Sequence, residues 1–418
     1  MHSRIVRLMV LGATLLMALP VAALAQTSRV EGMAIQGDYI KDYTAIYGYP
    51  SQIGNVGNLI YGELGVATGG VPVDRSVGTV MGDWWEGRFG TFGVHLRQVT
   101  PQFAQGDTTS SPNPGNFGLD PNANIHEQFD LMWGRKMGTA NFGLRFHRSN
   151  AEVEIGNNFL GLGNISNLKF DFTQAGSPNL ARNIMGLGVG FGWEMSPSTN
   201  VELAGHFQSR TFEISDTNGV TIAEADGKST YQLLARAWWQ WQPNVMVVPV
   251  FKWYSYDLST AAGATIASNH QNGWQLGAAG NWTIGSNDLF VLGATFAQNK
   301  IDHEADIFGF GFANGEVTES FTPQVFAALE THVNSWLTLR FGGNKGAWHS
   351  TEITSNSTPG TVTIRDSPFA MSLGAGVKVG GLQLDAVMND TFPHNGLYFV
   401  SGSSTSPLFS KVTATYSF

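Results

Sequence analysis

The sequence predicts an all-β protein: a transmembrane antiparallel β-barrel of about sixteen strands, with fourteen as the alternative count. Three observations carry that expectation. The chain ends Lys411-Val412-Thr413-Ala414-Thr415-Tyr416-Ser417-Phe418, where apolar and polar residues alternate and a terminal aromatic closes the pattern. Period two puts Val412, Ala414, Tyr416 and Phe418 on one face of a strand, and soluble proteins rarely leave such an edge exposed. Similar alternating segments recur along the chain, joined by connections that are alternately short and long. Finally, a spanning helix needs about 20 predominantly apolar residues, and none follows Ala25. Membrane residence would then require a closed barrel, which satisfies its own backbone in lipid.

The first element is a leader. Arg4 and Arg7 give it a basic start, Leu8 to Ala22 is apolar with Pro20 near its end, and Ala23-Leu24-Ala25 forms an A-x-A cleavage site. Residues 1–25 are therefore expected to be a secretory signal peptide, with Gln26 as the mature N-terminus. Residues 26–56 precede the first strand and form either a periplasmic or a lumen-plug segment. Residues 57–418 form the barrel.

The expected strands are Gly57–Ala67, Ser76–Trp85, Gly90–Thr100, Ile125–Gly134, Ala140–Arg148, Arg182–Met195, Asn200–Ile214, Ser229–Trp241, Val245–Asp257, Asn272–Ile284, Asp288–Asn299, Thr318–Thr331, Ser335–Ala347, Ser367–Val379, Leu382–Thr391 and Leu408–Phe418. Lys136-Met137-Gly138, Gln242-Pro243-Asn244 and Gly380-Gly381 are typical of the short turns. The intervening loops are long and rich in Ser, Thr, Asn and Gly, as in barrels with short turns on one rim and long loops on the other. An even strand count puts both ends of the barrel at the same rim.

Alternation also assigns faces. In the fifth strand Phe142, Leu144 and Phe146 oppose Arg145 and His147; in the fifteenth Leu382, Leu384, Ala386 and Met388 oppose Gln383, Asp385 and Asn389. An outward Arg or Lys at the bilayer midplane costs about 2–4 kcal/mol, so the apolar set should face lipid and the charged set the lumen. A sixteen-stranded barrel can leave an aqueous channel, expected here to be modestly basic. Its lumen candidates are Arg97, Arg145, Arg210, Arg236 and Arg340, with Asp130 among the facing acids. Most tryptophans fall near strand ends, where an aromatic girdle would sit.

Composition removes other classes. The formal charge is −9, and about −11 once Arg4 and Arg7 leave, which argues against nucleic acid as a partner. No cysteine is present, so no disulfide is available. His95, His147 and His206 have no motif placing a nucleophile beside them, so no enzyme activity is expected. Asp120-Pro121-Asn122-Ala123-Asn124 lacks the Gly and distal Glu of a calcium loop, so neither metal nor cofactor is expected.

The closing segment resembles that of Gram-negative outer-membrane barrels. The resemblance implies a location in the outer membrane with both termini periplasmic. It makes Tyr416 and Phe418 the signal read by the barrel-assembly machinery, and the lipid bilayer and lipopolysaccharide the surrounding partners. In overall plan the chain is porin-like. That likeness implies a third long loop, Asn150 to Ala181, folded into the lumen, with Glu152, Glu154 and Asp171 facing Arg97 and Arg145 across a constriction. The function so implied is passive diffusion of small hydrophilic solutes, with a homotrimer as the assembly. Against it, Gly37-Asp38-Tyr39-Ile40-Lys41-Asp42-Tyr43-Thr44-Ala45-Ile46-Tyr47-Gly48-Tyr49-Pro50 is similar in outline to the N-terminus of FadL-type transporters of hydrophobic compounds. Tyr49-Pro50-Ser51 stands where that family has Asn-Pro-Ala, and the family has fourteen strands. This second likeness implies a lumen plug and an apolar cargo.

Overall fold

A computed structural model describes residues 28–65, 76–82, 88–97, 125–153, 179–215, 220–226, 229–257, 260–262, 265–267, 270–285, 287–303, 315–355, 360–388 and 408–418. The signal peptide, Glu154, Asp171, Trp84, Trp85 and the Asp120–Asn124 segment lie outside them.

Sixteen strands close into one antiparallel ring. They are β1 (Leu59–Gly65), β2 (Ser76–Met81), β3 (Thr91–Arg97), β4 (Ile125–Met137), β5 (Ala140–Val153), β6 (Asn179–Ser196), β7 (Thr199–Ser215) and β8 (Thr230–Gln242). The second half comprises β9 (Val245–Asp257), β10 (His270–Ile284), β11 (Asp288–His303), β12 (Gly315–His332), β13 (Leu337–Gly346), β14 (Phe369–Val379), β15 (Leu382–Met388) and β16 (Phe409–Ser417). Each pairs with its neighbours in sequence. The ring closes where β1 meets β16, with Leu59 opposite Ser417 and Gly65 opposite Lys411. Closure removes the free edges that an open sheet would expose. Gly138, Gly285 and Gly380 sit in three of the short turns with φ of 62°, 62° and 59°, a backbone region that a side chain makes costly.

The face assignment follows the alternation. On β5, Asn141, Gly143, Arg145 and His147 are buried inside, while Phe142, Leu144 and Phe146 face out. On β8 the outward set runs from Tyr231 through Leu233 to Trp239 and Trp241, all exposed. Ten residues at ~3.4 Å, tilted by about 40°, span roughly 26 Å, close to the ~25 Å apolar band of such barrels. Trp253 and Trp274 lie opposite each other near the long-loop rim, and Trp193, Trp241 and Trp336 ring the short-turn rim, all exposed. An exterior of this composition is stable against hydrocarbon and not against water.

Two expectations require correction. The third long loop is shorter than Asn150 to Ala181, because β5 runs on to Val153 and β6 begins at Asn179, with Glu152 opposite Ala181 in the ladder. Glu152 therefore stands on a strand and not on the loop. The connection between β13 and β14 is not plain loop either. It holds a hairpin, His349–Ser355 with Gly360–Asp366, whose first strand pairs with Gly315–Phe321 of β12. β12 has 18 residues, and only Gln324–His332 pair with β13. Those nine pairs alone cover about 23 Å at the same rise and tilt, so the hairpin stands beyond the band.

Candidate functional site

The lumen is occupied. Residues 28–56 form short helical turns at Ser28–Glu31, Gly37–Tyr39, Tyr43–Tyr47, Pro50–Gln52 and Ile53–Val56, threaded inside the ring. Pro50 starts its turn at a position where its missing N–H costs nothing, and the Asp42 side chain accepts from Thr44 N to cap another. Val30, Met33, Tyr39, Ile40, Ile46 and Ile53 are all at 0% exposure. Packed this way, the segment takes up lumen space that an aqueous pore would need.

The wall receives this segment in two ways. The first is apolar. Val30, Met33, Ile35, Tyr39 and Ile40 form one cluster with Trp238, Val248, Val250, Ala279, Val291, Phe326 and Ala328 of β8 to β12, and the rings of Tyr39 and Phe326 are 4.8 Å apart. Ile46, Tyr47 and Ile53 form a second cluster with Leu59, Tyr61, Val80 and Met132. Each fully buried side chain of this kind contributes about 1.5–3 kcal/mol. The wall makes room with glycine: a Cβ at Gly342 would run into the Met33 carbonyl, and one at Gly143 into that of Pro50.

The second way is ionic. Lys252 on β9 meets Asp38 at 2.5 Å, Lys411 on β16 meets Glu31 at 3.3 Å and Glu63 at 2.8 Å, and Arg29 meets Glu330 at 2.8 Å and Asp42 at 3.2 Å. Buried charges persist when paired in this manner and are costly when one partner is removed. Burial opposes the charge on Arg29, but Glu330 and Asp42 outweigh it and raise its pKa. Burial likewise raises the phenols of Tyr43 and Tyr49 above their ordinary value, with nearby Asp42 and Asp38 adding to the effect, so both stay neutral.

Two of the arginines anticipated from the sequence, Arg145 and Arg236, bracket this segment, and Arg340 ties together wall acids beside it. Arg145 pairs with Asp130 at 2.7 Å and donates to the Tyr47 carbonyl at 3.0 Å. Arg236 pairs with Glu202 at 2.7 Å, donates to the Asp38 carbonyl at 3.2 Å and lies 3.9 Å over the Tyr49 ring. Arg340 bridges Glu330 and Asp385, each at 2.6 Å. Asp130 also meets His95 at 3.2 Å. Arg97 stands in β3 and Arg210 in β7. The expected basic excess of the wall is met by acids outside the alternating set: Glu63 on the wall, and Glu31 and Asp38 inside. Below the segment, at the short-turn rim, a cavity of about 860 Å³ is lined by Arg29, Lys41, Asp42, Glu330, Lys378 and Asp385 among others.

The rule that apolar residues face out does not find the apolar patch inside β8 to β12. The signal was present in Val245-Met246-Val247-Val248-Pro249-Val250-Phe251, a run without alternation. Such a run marks a strand buried on both faces.

No protein-family model and no curated protein matches the chain. Among solved structures, a FadL homologue of Pseudomonas aeruginosa is 10% identical over 94% of this chain and 98% of that one, with a TM-score of 0.44. The toluene transporter TbuX of Ralstonia pickettii is 8% identical over 94% and 97%, with a TM-score of 0.38. CdiB from Escherichia coli is 8% identical over 86% of this chain, which spans 63% of the CdiB chain, at a TM-score of 0.42. Likeness of this size leaves the functional reading to the barrel's own geometry.

Proposed function

We infer that this protein is an outer-membrane transporter whose lumen is closed at rest by its own N-terminal segment, and that it admits hydrophobic compounds in place of a free flow of small hydrophilic solutes. The carrying observation is the dry packing of Val30, Met33, Ile35, Tyr39 and Ile40 against an apolar inner wall on β8 to β12. A diffusion pore has no use for that wall, because water and ions gain nothing from apolar contact. An apolar solute does, at roughly 25 cal/mol per Å² removed from water.

Export by the signal at residues 1–25 and recognition of Tyr416 and Phe418 by the assembly machinery bring the chain to the outer membrane, with the short-turn rim and both termini in the periplasm. Removing residues 26–55 tests the reading. In a planar bilayer the intact protein should stay closed to small ions, and the truncated barrel should conduct steadily. Steady porin-sized current through the intact protein would overturn closure by the segment. Cells carrying the intact protein should also take up the dye phenylnaphthylamine faster than cells without it, and equal rates would overturn the hydrophobic cargo.

A further inference from the structure

A lysine stands on the outer face of the barrel among side chains suited to hydrocarbon. On β13, Arg340 turns inward to Glu330, and Asn344 turns inward to donate to the Ala34 carbonyl at 3.0 Å. Lys345, one position on, is therefore turned out. In the ladder it lies between Val325 of β12 and Phe369 of β14, which are 40% and 64% exposed.

Arg365 reaches the same face from the hairpin beyond β13. There His349, Thr351 and Ile353 are buried on one side. His349 bonds Glu319, whose ladder partner Asn299 shares the inward parity of buried Thr295. Ser350 points the other way, and Arg365, its partner across the hairpin, is exposed on that outward side. Among the described residues neither Lys345 nor Arg365 has a side-chain ionic partner, Glu352 on the same outward side included. Trp348 stands at the bend from β13 into the hairpin, where its carbonyl accepts from Thr322 N at 2.9 Å. At 71% it is the most exposed large apolar side chain among the described residues, and tryptophan favours the boundary between hydrocarbon and headgroups.

A cation over hydrocarbon extends its stem so that the charge reaches the polar layer. Here two such cations flank an interfacial Trp, with apolar wall beside them. Arg365 lies four residues before Phe369, so the two backbones are at most about 14 Å apart along the strand. Two long side chains on that span suit two anionic groups carried by one headgroup. A phospholipid with a single phosphate meets only one of them.

We propose that Lys345 and Arg365, with Trp348, Phe369, Phe341 and Val325, form an outer-wall site for an acylated saccharide bearing two phosphates, the lipid A part of lipopolysaccharide. Each cation holds one phosphate, Arg365 through a two-pronged contact, and acyl chains lie along Phe369, Phe341 and Val325. The site owes nothing to residues 28–56, so it goes beyond the transport reading and stands or falls apart from it.

Full-length protein stripped of lipid in detergent is titrated with diphosphoryl, monophosphoryl or dephosphorylated lipid A, with phosphatidylglycerol or with inorganic phosphate, and bound mass is read by native mass spectrometry. One diphosphoryl lipid A per barrel should bind, and the monophosphoryl form should bind about fivefold more weakly. Lys345→Gln and Arg365→Gln should each cost about fivefold, and the pair about 25-fold. Arg135→Gln, which removes an outward cation at the short-turn rim, should cost nothing. Unchanged affinity in K345Q/R365Q, or an equal loss in R135Q, would overturn the site. Phosphatidylglycerol binding as tightly as diphosphoryl lipid A would reduce it to a general anionic-lipid surface, and displacement by inorganic phosphate to a free-phosphate site; either overturns the glycolipid. The comparison among lipids uses wild-type protein and so decides the matter even where a variant does not fold.

Discussion

Asp38→Asn is the most direct test of how the lumen is closed. Asp38 meets Lys252 at 2.5 Å with both side chains only 7% exposed, and the contact is an ion pair more than an aligned hydrogen bond. The substitution leaves the shape almost unchanged and Lys252 without its acid. Stranding one partner of a buried pair costs about 3–5 kcal/mol. At ~1.4 kcal/mol per factor of ten, the docking equilibrium of residues 28–42 shifts by roughly two to nearly four orders of magnitude toward release. Docking also rests on five buried apolar side chains, so release should be frequent and not complete. Single-channel recording should show bursts of conductance absent from wild type, and a protease added from the short-turn side should cut within residues 28–42. Replacing both partners, Asp38→Leu with Lys252→Met, removes the stranded charge and should restore the closed, resistant state, since apolar substitutes for a buried pair are often neutral. If Asp38→Asn alone stays closed and uncut, the ion pair does not hold the segment.

Three further outcomes are expected. Gly342→Val puts a side chain where the Met33 carbonyl sits, so the barrel should fold while residues 28–42 become protease-sensitive; full protection would show that the segment can shift to accept a Cβ. His349 lies in the hairpin beyond the lipid band, 2.8 Å from Glu319 and against Asp366. Burial disfavours its charge, but the two carboxylates outweigh that and raise its pKa above 6.5. A raised folded pKa makes the clasp fully effective below the ordinary histidine value and loosens it as pH climbs through the folded one. Proteolysis of the hairpin should therefore speed up from about pH 5 to pH 8, and His349→Gln should abolish the dependence. Deleting Phe418, which is exposed beside Tyr416 with ring centroids 6.4 Å apart, should lower the yield of heat-modifiable barrel in the outer membrane without lowering synthesis.

The number of strands, their order and, wherever apolar and polar residues alternate, the side that faces lipid were legible in the chain itself. A strand in a bilayer has only two environments, and period-two alternation records both. The last strand could even be read as a seam, since Lys411 and Thr413 turn inward while Tyr416 and Phe418 face out. Arg145, Arg236, Arg340 and Asp130 were likewise identified as lumen residues by parity alone. What they do there was not legible. Their partners at Glu202, Glu330, Tyr47 and Asp38 lie 34, 10, 98 and 198 residues away, and no local pattern carries such pairings. The packing of residues 28–56 inside the ring was decided at the same level. Residues 28–56 have no long periodic element, and their fit depends on glycines scattered over seven strands, from Gly93 on β3 to Gly374 on β14. Only the ring, once closed, brings Gly342 to Met33 and Gly143 to Pro50. Sequence fixes what each strand face can tolerate, whereas three-dimensional proximity decides what fills the space that the faces enclose.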